Sequence, residues 1–413
     1  MSPDFFASRW AQRPAHVTDA GHGLPAGFRA AAAAAGIKGG GAVDLGLLVC
    51  DAQDAVSAAR YTRSGVLAAP VLVCRDETTP NAMRAVVANS GNANAATGPA
   101  GVQAARAMQR MAAGEIGAEP GHVAVASTGV IGVPLALDGF EDAVATASAA
   151  LHRGGDEAFN EAIMTTDAFH KRASLEVQLP SGTVRLSAQA KGAGMIEPAF
   201  ATMLCFVQTD AALEPETAEL LLSVCVQRSF DRISVDGQLS TNDTVILMCS
   251  GESGVRVAPE TEDELRFGEA LDALLRMLAI MIVRDGEGAR RIGRIVVRGG
   301  SAEVVERCAR ATANSPLVKT ALHGADPNWG RIAQSVGAAL RGTAPLMLDI
   351  AIEGITVCAG GIAVPYDITA LNAAAAGPEI EYEVGLPGAG FETEVLFSDL
   401  SHEYVTINAE YTT

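Results

Sequence analysis

Aromatic residues are scarce, at 5% of the 413 residues, and only two are Trp. Packing therefore falls to Ala, Val, Leu and Ile. Positive charge is also short, with 30 Lys and Arg against 48 Asp and Glu, a formal net charge of -18. No basic run offsets that balance, which argues against a nucleic-acid partner and fits a protein that handles small molecules. The seven cysteines, Cys50, Cys74, Cys205, Cys225, Cys249, Cys308 and Cys358, form no CxxC pair. An odd number in apolar surroundings predicts reduced core thiols and a cytoplasmic location. The seven histidines show neither HxxxH nor HExxH spacing, so no metal site is expected. Residues 1–6 lack the basic start and apolar run of a signal peptide. The longest oily stretch, 271–283, contains Arg276 and is too short to cross a bilayer. It predicts a buried helix, and no membrane partner is expected.

The chain is long enough for two or three domains and a large core. Short apolar runs predict strands at 44–50, 70–74, 84–88 and 122–126. Helical spacing predicts helices at 51–63, 101–113, 138–153 and 157–164. Alternating residues at 175–179 and 183–187, separated by Pro180-Ser181-Gly182, predict a β-hairpin. A strand at 202–208, a helix at 214–228 opened by acidic residues, a strand at 245–249 and a long helix at 263–283 follow. Residues 291–398 read as a smaller βαβ-type unit with its own core, and 404–413 as a docked tail.

Four stretches carry candidate chemistry. The first runs from Lys191-Gly192-Ala193-Gly194 through Ala201-Thr202 into an apolar strand. A hydroxyl at the start of a buried strand, after a loop that can bend back, can attack the peptide bond before it. An ordinary Gly-rich turn before a core strand has the same composition. The second, Ser127-Thr128-Gly129, ends a strand with a hydroxyl beside a glycine amide, the pair of donors a developing oxyanion needs. A tight turn capped by Thr is the plainer reading. The third is the Asn- and Gly-rich loop at 89–98, which needs backbone freedom and side-chain amides. In the fourth, Glu287 between glycines suits a cationic amine, or is an acidic turn. Asp236 and Asp243 read as structural anchors, since neither pairs with His or Lys in sequence.

Together and in order, these motifs resemble the ornithine acetyltransferases of arginine biosynthesis. The resemblance rests on the 191–204 stretch, 89–98, Ser127-Thr128-Gly129, Met164-Thr165-Thr166-Asp167, Ser240 to Thr244, Asp285-Gly286-Glu287-Gly288, Asp326 to Arg331 and the tail. It implies an αββα sandwich over 1–290, a smaller C-terminal α/β domain over 291–398, and a tail, 399–413, that returns to the active site. It implies a precursor that cuts itself between Ala201 and Thr202 into an α chain, 1–201, and a β chain, 202–413, assembled as α2β2. The implied reaction moves acetyl from N2-acetylornithine to glutamate, and in some members also from acetyl-CoA, with no cofactor. Thr202 would be the nucleophile, with Thr128 and Gly129 as the oxyanion hole. Thr165, Lys191, Thr202, Glu287, Asn408 and Thr413 would bind substrate, with Thr166 in place of Thr165 if the register is off by one. Two departures stand out. Pro198-Ala199-Phe200 replaces the usual Pro-Asn-Met, and Arg290-Arg291 stands where Thr-Lys is usual. A self-cleaving amidase, or an amino-acid-binding paralogue without catalysis, would share much of this pattern.

Overall fold

The structure is a computed structural model that describes residues 5–197 and 203–410. The first part of the chain runs β1 (Val17–Asp19), β2 (Phe28–Ala33), β3 (Leu45–Cys50), β4 (Val56–Tyr61), α1 (Ala69–Glu77), β5 (Ala85–Asn92), α2 (Gly98–Ile116), β6 (Val123–Val130), α3 (Phe140–Ala149), α4 (Asp156–Ile163), β7 (Lys171–Leu179) and β8 (Gly182–Lys191). It continues through β9 (Leu204–Thr209), β10 (Ala212–Leu213), α5 (Pro215–Arg228), β11 (Ile233–Ser234), β12 (Thr244–Cys249), β13 (Arg256–Val257) and α6 (Glu262–Arg284).

Two sheets stack between helical layers. One has the order β1-β7-β8-β9-β12-β4 and the other β2-β3-β5-β6. The period of two along β9 and β12, neighbours in the first sheet, shows why the two sheets face one another. Leu204, Phe206, Ile246 and Met248 point into a core shared with the second sheet and with α1, α2 and α3. Cys205, Val207, Val245 and Leu247 point the other way, into a core completed by α5 and α6. Strands covered on both faces are buried at every position and mostly apolar, as in β9 and β12. The result is the expected αββα sandwich. Helix starts follow local chemistry: Pro lies in the first turn of α1, α2 and α5, and the Thr261 side chain caps α6 by accepting from the Glu264 amide. The cysteines are free and buried.

Two sequence expectations fail near the edge of the first sheet. Residues 51–63 contain a strand, β4, rather than a helix, because β4 pairs antiparallel with β12 from Val56↔Cys249 to Thr244↔Tyr61. Its alanines favour a helix only weakly, and tertiary pairing outweighs that preference. Residues 70–74 belong to helix α1 rather than a strand; a short apolar run has no period by which to tell the two apart.

The rest of the chain forms a seven-stranded sheet, order β11-β19-β14-β18-β15-β16-β17. Its strands after β11 are β14 (Ile292–Arg298), β15 (Asp349–Ile352), β16 (Ile355–Ala359), β17 (Ile362–Ala363), β18 (Glu379–Gly385) and β19 (Glu392–Ser398). Helices α7 (Ala302–Ala313), α8 (Pro316–His323), α9 (Trp329–Ala339) and α10 (Ile368–Ala374) cover one face, over a core holding Ile295, Val297, Val395 and Phe397. The alternate residues of β14 meet charge: Arg294 pairs with Glu381 and Glu394, and Arg298 with Glu383 and Glu392. β11 comes from within the first 290 residues and pairs parallel with β19, so this sheet joins the sandwich through backbone hydrogen bonds. A last helix, α11 (His402–Glu410), has no buried residue.

Candidate active site

A cavity of about 370 Å³ lies where β6, β8, the loop after α6 and helix α11 converge. Thr128 and Gly129 line it from the end of β6, Lys191 from the end of β8, and Thr165 and Thr166 from the link between α4 and β7. Glu287 enters from beyond α6, and Tyr404 and Asn408 from α11. Thr128, Gly129, Thr165, Lys191, Glu287 and Asn408 are thus brought together from five separate stretches of sequence. Ala201, Thr202 and Thr413 lie outside the described residues.

Lys191 is buried and orders one wall. Its Nζ donates to Thr128 Oγ1 at 2.8 Å and to Thr165 Oγ1 at 3.2 Å. Each hydroxyl accepts from the ammonium, so each keeps its own proton to donate elsewhere. Burial pulls the Lys191 amine below its ordinary range; Asp167 opposes that shift and Lys171 adds to it. Gly129 follows Thr128 with φ 131°, and a Cβ there would lie 2.3 Å from the Gly91 carbonyl carbon. Only glycine lets β6 end this close to β5.

Glu287 lines the cavity from another segment. Asn408 Nδ2 donates to Glu287 Oε2 at 2.6 Å, and the Glu287 amide donates to the Ala193 carbonyl at 3.0 Å. A Cβ on Gly194 would sit 2.7 Å from the Glu287 carboxyl, so glycine there permits the approach. Met195, the next residue, has φ 56°, a conformation bulky side chains avoid and one that clusters at functional sites.

Two aspartates hold the chain on either side of 198–202. Asp236 accepts from the Met195 amide at 2.6 Å, the Ile196 amide at 2.9 Å and the Gln238 amide at 3.1 Å. Asp243 accepts from the Met203 amide at 3.0 Å. Burial pushes both carboxyls up, Asp243 well above the usual range, while these amides pull them down. Both are anchors of backbone, in keeping with the sequence reading, and Asp236 also lines the cavity. The 89–98 loop is braced likewise: Asn242 Nδ2 donates to the carbonyls of Ala93 and Ser127, and Ser127 Oγ donates to Asn89 Oδ1. Its amides support the strand that presents Thr128.

Sequence reasoning missed Tyr404, whose hydroxyl lies 3.4 Å from Asp236 Oδ2, and the buried cluster of Asp167, Lys171 and Asp285 behind the wall. Lys171 carries no local signal, since it opens an alternating strand where a lysine normally faces water. Among the described residues, no group of three or more His, Cys, Asp and Glu is placed to hold a metal.

With this geometry in hand, the chain can be set beside known proteins. The ArgJ family model matches residues 29–413. The chain is 42% identical to the arginine biosynthesis bifunctional protein ArgJ of Thermosynechococcus vestitus, over 98% of this chain and 100% of that one. It is 41% identical to the protein of the same name from Symbiobacterium thermophilum, over 94% and 98%. Among solved structures, the arginine biosynthesis bifunctional protein argJ of Bacillus halodurans is 33% identical, covering 50% of this chain and 98% of that one, with a TM-score of 0.47. The ornithine acetyltransferase of Mycobacterium tuberculosis, complexed with ornithine, is 39% identical over 44% and 97%, with a TM-score of 0.40. Matched over residues 29–413 by the family model and over 98% and 94% of its length by the proteins of Thermosynechococcus vestitus and Symbiobacterium thermophilum, the chain belongs to the ArgJ family.

Proposed function

We propose that the protein transfers acetyl from N2-acetylornithine to glutamate in arginine biosynthesis, through an acetyl ester on Thr202. The relatives named above are arginine biosynthesis proteins, which supports the pathway. One observation carries the reaction: hydroxyls oriented by Lys191 and a carboxylate, Glu287, line one small cavity. That suits a substrate with an acyl carbon at one end and an ammonium at the other.

In the first step the Thr202 hydroxyl attacks the Ala201 carbonyl, and the peptide nitrogen leaves as the Thr202 amine. Water then splits the ester, leaving Ala201 as a carboxylate. The new α-amine has a pKa of about 7.7–8.0, close to working pH, so it can take the proton of its own hydroxyl. That hydroxyl attacks the acetyl amide. The oxyanion is held by the Thr128 hydroxyl and Gly129 amide, and the ornithine amine leaves with the proton. Glutamate enters, its amine attacks acetyl-Thr202, and N-acetylglutamate departs. Thr165, Lys191, Asn408 and Thr413 complete the substrate site, and Glu287 pairs with the side-chain ammonium. No cofactor takes part; acetyl-CoA is the second donor to test with glutamate.

The sheet order explains why two cleaved chains would stay together. β9 and β12, from after the cut, lie between β8 and β4, from before it. β8 and β9 pair from Leu186↔Thr209 to Lys191↔Leu204, so the backbone ladder holds across the break. We propose an α2β2 assembly of such pairs in the cytoplasm.

Two measurements test the reading. Thr202→Ala should run as one full-length chain on a denaturing gel, against two for the wild type; two fragments from the variant refute cleavage by this hydroxyl. Ornithine release from N2-acetylornithine should depend on glutamate; release at the same rate without it makes the protein a hydrolase.

A further inference from the structure

Behind the cavity wall lies a set of charges that the proposed chemistry does not use. Lys171 Nζ sits 2.7 Å from Asp167 Oδ1 and 2.5 Å from Asp285 Oδ2, and these side chains are 0%, 0% and 4% exposed. None of the three lines the cavity. Asp167 also accepts from the Gly192 amide at 2.7 Å and from the Thr165 amide at 3.0 Å. Asp285 accepts from the Ala168 amide at 3.0 Å. Two chain segments therefore bond the ammonium directly and a third is tied to it through Asp167, and each delivers one wall residue: Thr165, Glu287 and Lys191.

Such a cluster is a poor way to gain stability. Taking charges out of water costs several kcal/mol per ion, and apolar replacements are often neutral or better. What the cluster offers instead is a fixed geometry. Its carboxylates are bonded to backbone amides on both sides, so the ammonium ties the 285–287 segment, which shares no sheet ladder with β7 or β8, to the wall that β7 and β8 hold. The charges also balance. Asp167 and Asp285 face Lys171 and, across the wall, Lys191, which acts on Asp167. Burial pushes Asp167 up, but the two lysines and the Gly192 amide outweigh it and hold Asp167 down to about 2, firmly anionic.

We propose that Lys171, bridging Asp167 and Asp285, is a positioning residue that sets the spacing between the Thr165–Lys191 wall and Glu287. For acetyl transfer, which rests on the function proposed above, that spacing is the distance between the acyl carbon and the substrate ammonium. Lys171→Met would free both walls. Asp285→Asn keeps the shape and an oxygen toward Lys171 but removes the charge of the bridge, and loosens only the Glu287 side.

The test combines kinetics with hydrogen–deuterium exchange. Lys171→Met should lose about a hundredfold in kcat/KM for N2-acetylornithine, mostly in kcat, as a misplacement near 1 Å does. Peptides covering 164–168, 191–197 and 284–289 should exchange faster together. Asp285→Asn should raise KM for N2-acetylornithine about tenfold, the worth of a charged hydrogen bond, with kcat within twofold. The double variant, with charge balance restored, should recover at least part of the kcat lost in Lys171→Met. Faster exchange confined to the start of β7, or unchanged kinetics in both single variants, overturns the proposal. Should Lys171→Met not fold, Asp285→Asn decides alone: a fall in kcat with KM unchanged overturns it. A wild type without transferase activity would refute the function instead, and the exchange pattern would still decide the clamp.

Discussion

Replacing Gly129 by alanine perturbs the proposed oxyanion site through the backbone alone. At φ 131° a side chain is strained, and the new Cβ would lie 2.3 Å from the Gly91 carbonyl carbon and 2.5 Å from the Asn92 nitrogen. Ordinary contact begins near 3.4 Å, so something must move by about 1 Å. Both obstacles are backbone of β5, which is paired with β3 on one side and β6 on the other and buried along 85–90. The shift therefore falls on the end of β6, the segment that presents the Thr128 hydroxyl and the Gly129 amide. A displacement of that size costs about 10²-fold, and losing one oxyanion donor about 10²–10³-fold. We expect kcat for ornithine release to fall by about 10²–10³, with KM for N2-acetylornithine within twofold, because Glu287 is held by a separate segment beyond α6. The assay is glutamate-dependent ornithine release, normalised to the two-chain fraction on a denaturing gel. A well-folded Gly129→Ala with kcat within threefold of wild type would refute the reasoning.

Three further outcomes follow from other parts of the site. Glu287→Gln keeps the Asn408 contact but loses the charge, so kcat/KM for N2-acetylornithine should fall about tenfold to a hundredfold, while an acetylated amino acid without a side-chain amine should be unaffected; equal losses on both contradict the ammonium pairing. Gly194→Ala places a Cβ 2.7 Å from the same carboxyl and should raise KM for N2-acetylornithine with little change in kcat, read by steady-state kinetics. Lys319 is buried, donates to the Ser398 carbonyl, and is held by burial to about 7 against the pull of Asp236 and Asp399. Its folded pKa is below its unfolded one, so between pH 7 and about 10 the unfolded chain binds more protons and stability rises with pH, by up to about 1.4 kcal/mol per pH unit. The melting temperature of wild type should therefore gain on that of Lys319→Met between pH 7 and 9; parallel slopes would exclude this role.

Much of the architecture was legible because it rests on periodicity. The hairpin of β7 and β8, the apolar β9 and β12 and the long helix α6 all announce themselves through alternation, runs or spacing. The errors sit where the signal is short. β4 is an edge strand specified by its partner β12 rather than by its alanines. The apolar run of α1 conceals a helix whose start is marked only by Pro70. Ser315 and Pro316 cap and open α8, where the sequence alone reads only the stop of the helix before them. The wall residues were legible as motifs, each weak alone, because glycines and hydroxyls bunch where backbone must approach backbone. Lys171, Tyr404 and the cavity role of Asp236 were not, since Lys171 meets Asp285 114 residues away, Asp236 meets Met195 41 residues away, and Tyr404 meets Asp236 168 residues away, contacts that only the fold makes.

The central claim is that residue 202 becomes the leading end of a chain and does chemistry there. N-terminal sequencing of the purified protein tests it most directly. The account predicts a second sequence that starts Thr-Met-Leu-Cys-Phe, beside the one from the start of the precursor. A single sequence from the precursor alone, in protein that still transfers acetyl groups, would contradict it.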